Sequence, residues 1–311
     1  MREAGIRRTA SLFPFRNGRR GRKRSSWSAA MAGCAADWAR PCSRRAGRMV
    51  TGTSKGGDMR YPKGSIVLSD TLDVPALRKV YQAGHATAWQ LYRALNPVFD
   101  ESKWKSFLRR IGILSQRHFL IRLVVDGMAA PVFALGDEGA RSLQGRLPTV
   151  IEAGPRNSGR GNRDHVWHDV ELFELQLKLR QAGVVSSWLY EPEIRADNEL
   201  TNFGYAKDYD AIVTFRCGQK SGKVALEYER SPKTTKQYKR IAGILNGETK
   251  ITSVLYLVCN VQMESFLLNG LRGTGRQVYV CQAHQFAEHP TEAVLVDVAQ
   301  QVQHRLADCL S

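Results

Sequence analysis

Residues 209–229 read YDAIVTFRCGQKSGKVALEYE, two stretches rich in β-branched and aromatic residues around a segment bracketed by Gly218 and Gly222. That pattern predicts a β-hairpin, with Tyr209–Cys217 paired to Lys223–Glu229 across the glycine loop. In the second stretch Val224, Leu226 and Tyr228 alternate with Ala225, Glu227 and Glu229. A period of two therefore puts both carboxylates on one face and the apolar trio on the other. Ser231 offers an N-cap, Pro232 suits a first helical position, and Tyr238, Ile241, Ala242 and Leu245 recur at helical spacing until Gly247. The acidic strand thus feeds directly into a helix.

Outward from this hairpin, Asp169–Ala182 reads as a helix closed by Gly183, because its Glu, Leu, Gln and Lys content outweighs an alternation of Phe173, Leu175, Leu177 and Leu179. Val184–Ile194 reads as a strand, Ile251–Cys259 as a buried strand, Gln277–Cys281 as a shorter one, and residues near Glu292–Ala307 as a last helix. The order is helix, three strands, helix, strand.

With that order and those acids, the chain resembles the PD-(D/E)XK nuclease-like superfamily, and Asp210, Glu227 and Glu229 fall on its acidic motif. It is similar more specifically to the replication-relaxation family, in which a winged-helix half precedes such a domain. The segments that carry this are TLDVPALRKVYQAGHATAWQLYRAL, SFLRRIGILSQRHF, PVFALGDEGARSL, WHDVELFELQL, DYDAIVTF, ALEYER and VLYLVCN, between Ile66 and Phe286. The resemblance implies an α/β chain of the α+β kind: a basic arm at 1–60, a winged helix at 61–150, a linker at 151–164 and a nuclease-like αβββαβ domain at 165–311. It also implies a DNA-binding protein of plasmid or mobile-element replication or mobilisation.

Two readings of the acids stand side by side. In one, Asp210 and Glu227 ligate Mg²⁺ through hard oxygens for attack on a phosphodiester, and Glu229 is a third ligand or general base. In the other they are solvent-side residues of an exposed antiparallel face. Active members of the superfamily usually carry lysine where this chain has Glu229, and a glutamate cannot supply that positive charge. Lys233 and Lys236 are candidate replacements, but with Arg240 they are expected opposite the apolar stripe of the helix. With residues 218–222 as the loop, simple pairing sets Asp210 opposite Arg230, and a one-residue slip changes the face that Asp210 shares.

Before this half, Val74–Ala83 and Thr87–Leu95 read as helices, and Pro97 and Asp100 introduce a third, Glu101–Ile111, with Trp104, Phe107, Leu108 and Ile111 on one side. Phe119–Val125 and Pro131–Leu135, joined through Asp126-Gly127, have the form of a β-wing. Three helices and a wing predict a winged helix-turn-helix whose third helix enters the major groove of double-stranded DNA. Ser102, Ser106, Arg109 and Arg110 on that helix, with Arg117 and Arg122 beside the wing, are the candidate DNA contacts.

The formal charge of +17 is mostly the arm's. Met1–Arg60 holds fifteen Lys/Arg against three Asp/Glu, which leaves the other 251 residues at +5. Few large aliphatics and many Gly, Ser and Arg predict disorder there, either as a salt-sensitive DNA-binding arm or as the product of an over-long start, with Met49 and Met59 as alternatives. Arg7-Arg8 has no apolar run behind it, and no stretch is long and apolar enough to span a bilayer. Six scattered cysteines without Cys-x-x-Cys pairs suggest a reduced, cytoplasmic protein without a zinc site.

His165 and His168, three apart and flanked by Asp164, Asp169 and Glu171, invite a metal reading. Because His165 is expected before the helix start, capping or core histidines are the simpler expectation. His168, Glu171 and Lys236 are supporting candidates; Glu171 and Glu174 are candidates to point towards the acids, with surface exposure the default expectation for both. Two functions follow: a Mg²⁺-dependent nicking endonuclease, or a DNA-binding regulator whose nuclease-like domain is a docking or homodimerisation scaffold.

Overall fold

Residues 66–147, 151, 163–201 and 204–310 are described by a computed structural model. The arm expected at 1–60 and most of the expected linker lie outside them. In chain order the first half holds α1 (Asp73–Ala83), β1 (Ala86–Thr87), α2 (Ala88–Leu95), α3 (Glu101–Gln116), β2 (Leu120–Leu123), β3 (Val132–Leu135) and α4 (Asp137–Leu143). Thr87 caps α2 by accepting from the Gln90 N–H at 3.2 Å while Gln90 returns its own side-chain oxygen to the Thr87 N–H. Asp100 does the same service for α3, accepting from the N–H groups of Ser102 and Lys103. The three strands form an antiparallel sheet in the order β1-β3-β2.

The second half runs α5 (Arg163–Gln181), β4 (Val185–Tyr190), α6 (Glu191–Leu200), β5 (Ala211–Cys217), β6 (Lys220–Glu229), α7 (Thr235–Asn246), β7 (Ser253–Val258), α8 (Val261–Gly270), β8 (Gln277–Gln282), α9 (Ala283–Glu288), β9 (Leu295–Asp297) and β10 (Gln303–His304). Its seven strands make one sheet in the order β10-β9-β8-β7-β6-β5-β4. The hairpin pairs are antiparallel, while β6, β7 and β8 run parallel. The central β7, SVLYLV, is buried at every position, as expected of a parallel strand covered on both faces. The molecule is thus of the mixed α+β class.

Ala225 and Tyr256 of the sheet share a core with Ile194 of α6, Tyr238 and Leu245 of α7, and Met263 and Leu267 of α8. On the opposite face α5 and α9 lie against the strands, where Phe215 meets Phe286 edge to face. Phe173 and Leu177 of α5 also join the core of the first half, beside Leu77, Leu91, Phe107 and Phe133. Helix α5 is therefore shared by both halves, and fully burying each of these side chains contributes about 1.5–3 kcal/mol.

Four expectations are corrected. The strand expected to reach Ile194 stops at Tyr190, because Pro192 has no N–H for a ladder and Glu193 turns back to accept from the Tyr190 N–H at 2.9 Å, opening α6. The helix expected near Glu292–Ala307 is replaced by β9 and β10. Asp297 takes the N–H groups of Ala299 and Gln300 at 2.8 and 2.7 Å, a local turn that competes with helix. Helix α7 is capped by Thr234, not Ser231, through a reciprocal pair with Gln237. Finally, the hairpin turns on Gly218 and Gln219 alone, with Cys217 opposite Lys220. Gly218 supplies the left-handed backbone, φ 60°, that so tight a turn needs.

Candidate active site

The short turn sets the register that matters. Ala211 pairs with Leu226, so the ladder carried one step further sets Asp210 opposite Glu227, not Arg230. Glu227 and Glu229 share one face of the sheet, and Asp210, one residue before β5, lies at the strand end between them and His168 of α5. That face is covered by α6, α7 and α8, and Glu227 and Glu229 are only 6% and 5% exposed. The solvent-side reading of these two acids is thereby overturned: they are buried carboxylates at the end of a central strand.

Each acid has different company. Asp210 Oδ2 accepts from the Tyr228 N–H at 2.7 Å and lies 3.2 Å from His168 Nε2. Burial opposes its ionisation, yet His168 and the Tyr228 N–H outweigh burial and hold Asp210 below the usual carboxylate range. Burial likewise disfavours the His168 imidazolium, but Asp210 and Asp169 raise it well above its ordinary value. Glu227 is the reverse case. Burial pushes its carboxyl up to about 7, with Lys207 opposing the shift and Asp210 and Glu229 adding to it. Lys207 Nζ sits 2.7 Å from Glu227 Oε1, a charge contact without hydrogen-bond alignment, and that oxygen has no aligned donor among the described residues.

Lys207 escaped the sequence reading. It stands three residues before Asp210, outside any periodic element, and burial is outweighed by Glu227, Asp210 and Glu229 in keeping it protonated. Lys233 is corrected: because the helix cap is Thr234, Lys233 precedes α7 and its ammonium pairs with Glu229. Lys236 is exposed in the first turn of α7. Tyr256, the β7 neighbour of Glu227, has a buried hydroxyl with no partner among the described residues.

Supporting residues divide similarly. Glu171 accepts from the Tyr228 hydroxyl at 2.9 Å and forms an ion pair with Arg230, whose Nε lies 2.7 Å away, so it braces the strand behind the acids. Glu174 turns away from the acids to Arg93 at 2.6 Å. His168, Asp169 and Asp210 line a cleft with Gln82, Trp188 and Tyr190.

On α3, Ser102, Ser106 and Arg109 are exposed at helical spacing, and Arg117 is exposed at its C-cap. Ser102 donates its hydroxyl to Asp100 at 2.7 Å. Arg122 is exposed on β2. Arg110 is corrected: its guanidinium grips the fully buried Asp73, with Nε 2.8 Å from Oδ1, and also donates to the Val67 carbonyl at 2.8 Å. It holds α3 to α1 and is spent on structure.

The donor set of Asp210, Glu227 and Glu229 is all oxygen, the kind a hard divalent cation takes. No protein-family model matches the sequence, and no curated protein matches it. A solved structure titled restriction endonuclease FokI is similar at 10% identity and a TM-score of 0.27, over 70% of this chain and 42% of that one. This chain thus spans less than half of that chain's length. Among the described residues no helix is long and apolar enough to cross a membrane.

Proposed function

We propose that the chain binds double-stranded DNA through its helical half and uses Asp210, Glu227 and Glu229 to hold Mg²⁺ against a phosphodiester, as a nicking endonuclease. The observation that supports this is that Asp210, Glu227 and Glu229, two of them buried, all bear on the ammonium of Lys207. Mg²⁺ bound there would polarise the phosphate and lower the pKa of a water. The chain's residues do the rest. Asp210, kept ionised by His168 and the Tyr228 N–H, is the fixed ligand. Glu227 gives up its proton near pH 7 and completes the pair. Lys207 brings the positive charge that position 229 lacks, placed to offset charge building on the phosphorane.

The order of three helices and a β-hairpin is that of a winged helix, with α3 offered to the major groove through Ser102, Ser106 and Arg109. Service in plasmid or mobile-element replication rests on the resemblance of the segments quoted above. One observation favours a second reading. Lys207 and Lys233 already neutralise Glu227 and Glu229, which suits a non-catalytic scaffold for docking or dimerisation.

Supercoiled plasmid incubated with the full chain and Mg²⁺ or Mn²⁺ separates the two. Nicking that disappears in Asp210→Ala and Glu227→Ala supports the enzyme; duplex binding without nicking under either metal leaves the scaffold.

A further inference from the structure

Helix α5 begins at Arg163, six residues before the expected start, so His165 lies inside it. His165, His168 and Asp169 then fall at i, i+3 and i+4, on one face of the helix. One ligand atom from each lies within 4.8 Å of the others. His168 Nδ1 is 3.3 Å from Asp169 Oδ1, and His165 Nε2 is 3.7 Å from Asp169 Oδ2. The second separation is too long for a hydrogen bond. Both approach the roughly 3.3 Å between neighbouring ligands of a tetrahedral ion with bonds of about 2.0–2.1 Å. His165 Nε2 is buried and has no hydrogen-bond partner among the described residues, although it faces a carboxylate. A gap between a carboxylate and an unsatisfied imidazole nitrogen is the room an ion needs.

We propose that His165 Nε2, His168 Nδ1 and the Asp169 carboxylate form a second metal site, for a zinc-class transition ion, distinct from the all-oxygen site at Asp210 and Glu227. Imidazole nitrogen suits Zn²⁺ and its neighbours in the first transition row, whereas Mg²⁺ selects oxygen. The surroundings have the outer shell such sites use. His168 turns Nε2 to Asp210 at 3.2 Å, which keeps a proton on that nitrogen when Nδ1, now hydrogen-bonded to Asp169, gives up its own to ligate. His85, fully buried at the corner between α1 and β1, meets Asp169 Oδ2 through Nδ1 at 2.7 Å and fixes that carboxylate from the other half of the molecule. A bound ion would tie α5 to that corner. The His165 side chain is 24% exposed overall, and zinc displaces the Nδ1 proton of His168 as it binds.

The test uses the full chain, stripped of metal and titrated with Co²⁺ and then Zn²⁺ alone. The site predicts a visible ligand-field band at one Co²⁺ per chain, bleached by an equivalent of Zn²⁺. The band is lost, or affinity falls at least tenfold, in His165→Ala and in Asp169→Asn, whose circular dichroism reports whether each still folds. Glu227→Gln keeps the band, because it touches only the other site. No band in the wild type, or wild-type affinity in folded His165→Ala, overturns the proposal. Loss in Glu227→Gln with retention in His165→Ala assigns the ion to the carboxylate site and overturns it equally. Neither outcome depends on whether the chain nicks DNA.

Discussion

Asp73 in the helical half and Glu227 in the sheet half are both buried acids with a cation beside them, and they are built to opposite effect. Asp73 takes the Ser69 N–H at 2.7 Å and both arms of the Arg110 guanidinium, so its charge is fully answered. Glu227 shares its surroundings with Asp210 and Glu229, meets Lys207 without alignment, and holds its proton up to about 7. A buried charge with matched donors fastens two helices together. Several buried acids with too few donors leave a place that a divalent cation can satisfy.

The largest expected effect lies on the fastened side. Arg110→Ala strands Asp73 and should cost about 3–5 kcal/mol in a urea denaturation, equally with and without Mg²⁺. A loss below about 1 kcal/mol, or one that Mg²⁺ repairs, would erase the contrast. Next comes Lys207→Met, expected to lower nicking on the order of 10²-fold while leaving duplex affinity unchanged, as removal of one charge-stabilising group does elsewhere. Unaltered nicking would take Lys207 out of the chemistry.

Titration sharpens the same comparison. The folded carboxyl of Glu227 lies near 7 against an ordinary 4.5, so its contribution to stability is present below the ordinary value and is lost as pH rises through about 7. Thermal or urea unfolding of the metal-free chain should therefore show wild type losing on the order of 3 kcal/mol relative to Glu227→Gln across that window. Parallel pH profiles would mean that Glu227 is already ionised. The smallest effect is at the helical surface. Arg109→Ala should weaken duplex binding by about 1 kcal/mol and move stability by less than about 0.5 kcal/mol. A melting change larger than the binding change would make Arg109 structural, like Arg110.

How far these features could be read from residues follows from their range. A period of two puts Glu227 and Glu229 on one face whatever the tertiary surroundings, because a pleat is local. Whether their face was wet or dry depended on α6, α7 and α8 folding over it, and alternation fits both states. The register of Asp210 turns on loop length, a loop over 218–222 setting it opposite Arg230 and the tight turn at Gly218 and Gln219 moving it away. Lys207 gave no periodic signal, and Lys233 was set on the wrong surface because either Ser231 or Thr234 makes a plausible cap. Arg110 sits on α3 beside residues that do face solvent, and only Asp73, 37 positions away in sequence, reveals its task. The last helix was lost to one side chain, Asp297, bonding its own turn.

The central claim is that Asp210 and Glu227 accept a hard divalent cation. Calorimetric titration of Mg²⁺ into the metal-free full chain, above pH 7 where Glu227 is ionised, tests it without DNA. The geometry predicts one Mg²⁺ per chain in wild type and none in Glu227→Gln or Asp210→Asn. No binding heat in wild type, or the same isotherm in both variants, would contradict it.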